Sequence, residues 1–141
     1  MRIVILIITI SFNLFSQTLK DKDYQPTNLF EAIEQLDIIL PDSVKQNIIN
    51  LSEKDFVSNS HRGLGRWIRD EWLVNRFLGF PLGDSKLKKY LISIGLPSND
   101  DMSMVILTSY HRHLNEKDLQ IEEQIREVHL FYLKQQNQSQ H

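Results

Sequence analysis

The sequence predicts an all-α protein, a compact bundle of about six or seven short helices that follows an N-terminal signal peptide. Three observations lead to this prediction. Apolar residues recur at spacings of three and four, which is the helical period, and almost nowhere at the strand spacing of two. Capping residues and Gly or Pro stops mark the boundaries of the helices. The 141 residues suffice for one domain, and the absence of Cys excludes a disulfide framework or a thiolate metal site.

Residues 1–16 have the layout of a secretory signal peptide. Arg2 precedes an unbroken apolar run at 3–8, and a softer stretch ends at Ser16, before the polar Gln17. A membrane anchor and a buried first strand are the other interpretations. A membrane span needs about 20 apolar residues. The whole apolar stretch here is shorter, and Thr9, Ser11 and Asn13 interrupt it after the first run. We therefore expect an exported protein, periplasmic or extracellular, with no stable membrane anchor after cleavage.

The rest of the chain divides into a polar leader at 17–26, a single all-α domain at 27–133 and a tail at 134–141. We expect a flexible leader, and we expect the tail to be disordered because it is rich in Gln, Asn and Ser.

Each helix is predicted from its apolar stripe and its boundary signals. Asn28, Ser52 and Ser98 are placed as N-caps, and Gly95 followed by Pro97 ends the fifth helix. In chain order the predicted helices lie at 29–40, 44–49, 53–57, 62–78, 87–94, 99–114 and 121–132, with a loop at 79–83. Apolar residues surround almost the whole circumference of the sixth helix, which is therefore predicted to be central and buried.

Glu71 is the residue that fits this apolar pattern least well. On a fourth helix drawn over 62–78 it falls in the middle of the apolar side, where an unpaired carboxylate would cost several kcal/mol. The helix could end near Asp70 and leave Glu71 in solvent, or Glu71 could be a general acid of raised pKa. We predict a third arrangement, in which Glu71 is partly buried and bonded to a His or Arg. His113 is the expected partner, because the wheel of the sixth helix places it on the core side.

A basic and aromatic run on the fourth helix supplies the candidate binding residues. These are Arg62, Arg66, Trp67, Arg69 and Trp72. They could form a surface for an anion or a glycan, although three arginines on one helical face are also typical of a solvated face.

We expect no metal, no cofactor and no nucleic-acid partner. His111 and His113 are two residues apart, a spacing that suits metal binding on a strand and not on a helix. The net charge of −2 lacks the basic excess that nucleic-acid binding requires.

Several sequence blocks together resemble an uncharacterised bacterial family, a domain of unknown function of the Bacteroidetes type. The blocks are LPDS at 40–43, LSEKDF at 51–56, GLGRWIR at 63–69, DDMS at 100–103 and ILTSYHR at 106–112. The resemblance extends from about Leu29 to Leu133. It implies amides at the positions of Asp70 and Glu71, which suits a polar structural role, and a shorter segment than the one found here after Trp72.

The resemblance brings no established activity, so function is predicted from the residues. The preferred hypothesis is a non-catalytic secreted or periplasmic α-helical interaction module with a protein partner in the cell envelope. The alternative is a small cell-envelope glycan hydrolase, with Glu71 as the general acid and Trp67 or Trp72 as sugar platforms. A third is an immunity or inhibitor partner of a toxin. A deep cleft around Glu71 would favour the hydrolase, and a flat face of arginines and aromatics would favour the module.

Overall fold

A computed structural model describes residues 24–139, so the predicted signal peptide and most of the predicted leader lie outside the described residues. In this part of the chain the fold consists of seven helices and one β-hairpin. The elements are α1 (Leu29–Ile39), α2 (Asp42–Asn50), α3 (Glu53–Ser60), α4 (Leu64–Glu71), β1 (Val74–Phe77), β2 (Phe80–Asp84), α5 (Lys86–Ser93), α6 (Asn99–Leu114) and α7 (Ile121–Gln138). The predicted compact helical fold is confirmed, and the hairpin is the one departure from it.

The core forms around α6, which contacts every other helix of the described chain. Its fully buried side chains include Ile106, Leu107 and Tyr110. The other helices cover it with the following apolar residues: Leu29, Ala32, Ile33, Leu36, Ile48, Phe56, Ile68, Leu87 and Leu91. Burying each large apolar side chain contributes about 1.5–3 kcal/mol. The prediction of a central, buried sixth helix is therefore confirmed.

The helix boundaries follow the local capping signals. Asn28, Ser52 and Ser98 each accept a hydrogen bond from the backbone N–H three residues later, at 3.0, 3.1 and 3.1 Å. These bonds satisfy N–H groups that have no partner inside the helix. After α5, Gly95 has a φ of +105°, and the N–H of Leu96 bonds back to the helix at 3.1 Å. The predicted caps and the predicted glycine stop are all present.

At both ends of the described chain the structure extends beyond the predicted domain bounds at 27 and 133. Gln25, inside the predicted flexible leader, donates side-chain hydrogen bonds to the backbone oxygens of Glu71 at 3.0 Å and Val74 at 3.1 Å. At the other end, α7 continues to Gln138, into the segment 134–141 for which disorder is predicted. The helix extends this far because each residue added to an existing helix gains one backbone hydrogen bond.

The fourth helix is shorter than predicted, since it ends at Glu71 and not at residue 78. Leu73 then enters the core, and the chain becomes extended at Val74. β1 and β2 pair antiparallel around a two-residue turn, so the predicted loop at 79–83 is mostly strand. A helical wheel drawn over 64–78 therefore mixed helix and strand residues. It placed Trp72 correctly on the apolar side and was wrong for Leu78, which is exposed.

Candidate functional site

Glu71 does not occupy the buried position predicted for it. It lies in the last turn of α4, its side chain is exposed, and no side chain in residues 24–139 bonds its carboxylate. The prediction of a partly buried, paired carboxylate was therefore wrong. The physical reason is the early end of α4, which leaves Glu71 on an open surface beside the hairpin.

His113 does not lie on the core side of α6, where it was predicted, and His111 is buried instead. His111 is buried, with its Nε2 2.8 Å from the backbone oxygen of Leu51 and its ring stacked on Phe56 at 5.8 Å. His113 is exposed and lies against Tyr110, with ring centroids 6.3 Å apart. Because helices pack around most of α6, the side that a single wheel assigns to solvent is covered by α3 and the loop before it.

The five candidate binding residues divide between surface and core. Arg62 and Trp67 are exposed, and Arg66 pairs with Asp70 at 3.5 Å in solvent. Arg69 instead joins α4 to α6, because it donates to Ser103 Oγ at 2.9 Å and forms an ion pair with Asp100 at 3.3 Å.

Trp72 belongs to the core, at 4% exposure, and meets Trp67 edge to face at 5.1 Å between ring centroids. The structure therefore does not bring the five residues together as one face.

Within residues 24–139, no three His, Asp or Glu side chains come close enough to hold a metal ion. None of the seven helices has the length and hydropathy needed to cross a bilayer.

The most exposed apolar surface in the described chain is the hairpin 74–84. Four large apolar side chains project from it, namely Phe77 (63% exposed), Leu78 (82%), Phe80 (72%) and Leu82 (63%). Contiguous exposed apolar groups on a soluble domain are typical of interaction surfaces. Sequence reasoning missed these four residues because it assigned them to a helix end and a loop. The signal that could have found them is the pair Leu78-Gly79 between two phenylalanines, which is a two-residue turn between strand formers.

The turn of the hairpin places a leucine where the backbone favours other residues. Leu78 and Gly79 both have positive φ, +50° and +84°, as type I′ turns require. Asn or Gly normally occupies the first of these positions, and an ordinary side chain there costs about 1–2 kcal/mol. The leucine is also the most exposed large apolar residue among those described. The fold therefore gains nothing from the side chain that it holds at this strained position.

The base of the hairpin is held firmly to the helices. Ser85, which caps α5, donates its hydroxyl to the backbone oxygen of Trp72 at 2.6 Å in a buried contact. Arg76 extends along the edge of the ribbon, and its guanidinium donates to the backbone oxygens of Asp70 and Gly79, both at 3.2 Å. The hairpin is thus a supported projection whose tip has no cover.

Charge is distributed unequally around this projection. Residues 62–89, from α4 through the hairpin to α5, contain seven Lys and Arg against three Asp and Glu. The rest of the described chain contains six against thirteen. Lys86 and Lys89 are exposed where the hairpin joins α5, and Lys88 pairs with Asp84 at 2.7 Å. The hairpin therefore belongs to a segment of net positive charge in a described chain that is otherwise net negative, and Lys86 and Lys89 are exposed cations next to its base.

A second, weaker apolar patch lies near the end of α7. Its members are Leu130, Phe131, Tyr132 and Leu133, with exposures of 38–56%. The adjacent cleft between α6 and α7 has a volume of about 360 Å³. This patch is less exposed than the hairpin, and it lies in the acidic part of the domain. It provides matched control positions for the hairpin leucines.

An ion pair far from the hairpin in sequence joins helices α3 and α6. Arg112 of α6 donates two hydrogen bonds to the carboxylate of Glu53 at the start of α3, at 2.8 and 2.9 Å. These bonds lower the pKa of Glu53 and raise that of Arg112. The pair holds α3 against α6, as the stacked rings of Phe56 and His111 also do.

The fold and the site together define a small helical domain with an apolar β-hairpin between its fourth and fifth helices. A family model described as a domain of unknown function, DUF6794, matches residues 25–114, which is more than half of the chain. The chain belongs to this family, and the predicted resemblance to a family of unknown function is confirmed. The matched region contains α1 to α6 and the hairpin, and it ends before α7. No curated protein and no solved structure matches the chain.

Proposed function

We propose that this protein is an exported, non-catalytic interaction module that binds its partner through the hairpin 74–84. The observation that carries the proposal is the exposure of Phe77, Leu78, Phe80 and Leu82, at 63–82%, on a ribbon anchored only at its base. Removing such a side chain from water yields about 1.5–3 kcal/mol. No element of the described chain buries these four side chains, so a binding partner would have to bury them.

A glycan hydrolase is the weaker candidate. A general acid needs an enclosed, apolar environment to raise its pKa, as a carboxyl packed against a tryptophan has. Glu71 is exposed, and Trp72 lies in the core, where it cannot serve as a platform for a sugar ring. These two positions give the hydrolase no support, and Trp67 is the one candidate sugar platform that reaches the surface.

The binding role of the hairpin can be tested by site-specific photo-crosslinking in the host. A photoreactive amino acid is placed at position 78, at the tip, and in a separate variant at position 133, which is 55% exposed on α7. We expect adducts from position 78 and far fewer from position 133. Equal labelling from both positions, or no adduct from position 78, would contradict the proposal.

Export is proposed from residues 1–16, with Arg2, the apolar run and the polar Gln17 as support. Mass spectrometry of the protein from its host should find an N-terminus near Gln17. An intact Met1 in the cytosolic fraction would reject export and would leave the hairpin proposal unaffected.

A further inference from the structure

We infer that the hairpin 74–84 docks the protein on an anionic lipid bilayer by inserting its apolar turn among the lipid headgroups. This inference rests on the proposed function, in which the hairpin is the binding element, and it names the class of partner. Three features of the hairpin favour lipid as the partner: its apolar side chains are grouped at the tip and beside it, the turn at the tip is strained, and exposed lysines lie where its base joins α5.

The exposed apolar side chains are grouped toward the outer end of the ribbon. Leu78 forms the tip, and Phe77 and Phe80, directly behind it, are paired in register and so share a face. Leu82 is the extra residue of a bulge, and Pro81 pairs with Arg76 on the face opposite the phenylalanines. Insertion of the tip among lipid headgroups would bury Leu78, Phe77 and Phe80 together.

The turn itself is built for exposure of an apolar group. Leu78 has a φ of +50°, where Asn would be less strained, and its side chain is 82% exposed, so packing offsets little of the strain. Strain that the fold does not use is a marker of function. Insertion of this leucine into lipid would bury it, and the energy of that burial would offset the cost of the strain.

The charges orient the protein toward an anionic surface. Seven Lys and Arg against three Asp and Glu accompany the hairpin in residues 62–89, and thirteen acidic against six basic residues make up the rest of the described chain. An anionic bilayer attracts the first group and repels the second, and the attraction acts within about a Debye length of 8–10 Å. The domain would therefore approach with the hairpin foremost and its acidic helices turned away.

The test is sedimentation of the protein with lipid vesicles. Wild type and variants are isolated from the host, so that all carry the same N-terminus, and are mixed with vesicles of phosphatidylcholine and phosphatidylglycerol or of phosphatidylcholine alone. The variant Leu78→Ser/Leu82→Ser removes two hairpin leucines. Its matched control, Leu130→Ser/Leu133→Ser, removes two exposed leucines of α7. Circular dichroism and thermal melts establish that each variant is folded.

We expect the wild type to bind the anionic vesicles. The hairpin variant should bind about 100-fold more weakly, roughly tenfold for each leucine, and the control within about twofold of wild type. Leu78→Asn relieves the turn and still deletes the apolar tip, so it should weaken binding by about tenfold without loss of stability.

The cationic base is tested in the same assay. Lys86→Gln/Lys89→Gln should weaken binding to anionic vesicles by about tenfold or more, because each cation near the surface contributes about 1 kcal/mol. The matched control, Lys54→Gln/Lys117→Gln, changes two exposed lysines outside the cationic segment and should have less effect. Binding by wild type should also fall as salt is added.

Absence of vesicle binding by the wild type overturns the lipid inference, as does binding that Leu78→Ser/Leu82→Ser leaves unchanged. If position 78 then crosslinks a protein in the host, the interaction module stands and its partner is a protein. If position 78 crosslinks nothing, both the proposed function and the lipid inference fail.

Discussion

Helix α6 and the hairpin 74–84 are both rich in large apolar residues, yet their environments are opposite. In α6, Ile106, Leu107 and Tyr110 are fully buried, whereas Leu78 and Phe80 of the hairpin are more than two thirds exposed. The difference is one of neighbours, since α6 contacts every other helix of the described chain, whereas the hairpin contacts mainly α4, through β1. Apolar residues in α6 stabilise the fold, and those in the hairpin remain available to something outside it.

The largest expected effect is the difference in stability between a variant of a buried leucine in α6 and a variant of an exposed leucine in the hairpin. Leu107→Ala should lower the free energy of unfolding by about 2–5 kcal/mol, because it leaves a cavity in a fully buried site. Leu82→Ala should change it by less than about 0.5 kcal/mol, because the side chain is 63% exposed. Urea denaturation of both variants measures the difference. A Leu82 effect as large as that of Leu107 would mean that the hairpin leucine is buried.

Two glycines of positive φ extend the comparison to the backbone. At Gly95 (φ +105°) an added Cβ would lie 3.2 Å from the His129 ring, whose Nε2 is 2.6 Å from the Gly95 oxygen. Gly95→Ala should therefore cost about 1–3 kcal/mol.

At Gly83, in the hairpin, φ is +116° and an added Cβ meets nothing within 4 Å. Gly83→Ala should cost about 1 kcal/mol, from backbone strain alone, because the added Cβ has no neighbour to displace. Thermal melts should show the larger loss for Gly95→Ala, and an equal or larger loss for Gly83→Ala would mean that the His129 contact adds nothing to the backbone strain.

Acid sensitivity should reside in the helical core and not in the hairpin. The Arg112 hydrogen bonds hold the pKa of Glu53 below its usual value, so the ionised pair stabilises the fold above the pKa that Glu53 has when unfolded. This contribution is lost as pH falls through the lower, folded pKa, in the range below about 4.

Glu53→Gln should cost about 1 kcal/mol at neutral pH, a modest value because the carboxylate is about one third exposed. It should also flatten the acid limb of the stability profile between about pH 5 and 2. Denaturation over that range checks both points, and an acid limb as steep as that of the wild type would refute this role for the pair.

The smallest expected effect has the opposite sign. Leu78→Asn should raise stability by about 0.5–1 kcal/mol, because Asn adopts positive φ more readily and the leucine it replaces is 82% exposed. Chemical denaturation measures the gain, and hydrogen exchange of the β1 and β2 amides shows whether it arises in the hairpin. A loss of stability would mean that Leu78 makes contacts that hold the turn.

Short-range features of the sequence were sufficient for much of the fold. The caps at Asn28, Ser52 and Ser98 and the stop at Gly95 each depend on groups a few residues apart, so they form wherever those residues occur. The central position of α6 was also predictable, because a helix that is apolar around its circumference must be covered on all sides.

Tertiary structure decided what the wheels could not. Whether the chain after Glu71 stays helical depends on pairing between β1 and β2 and on the anchor from Ser85 to Trp72, thirteen residues apart. His111 is buried and His113 exposed because of where α3 and Leu51 lie against α6, a contact across 60 residues. A single helix's periodicity contains no information about its neighbours. For that reason the sequence alone determined the helical class and the capped helix boundaries, and only the packed chain ended α4 at Glu71 and placed Glu71 in solvent and four apolar residues on an uncovered hairpin.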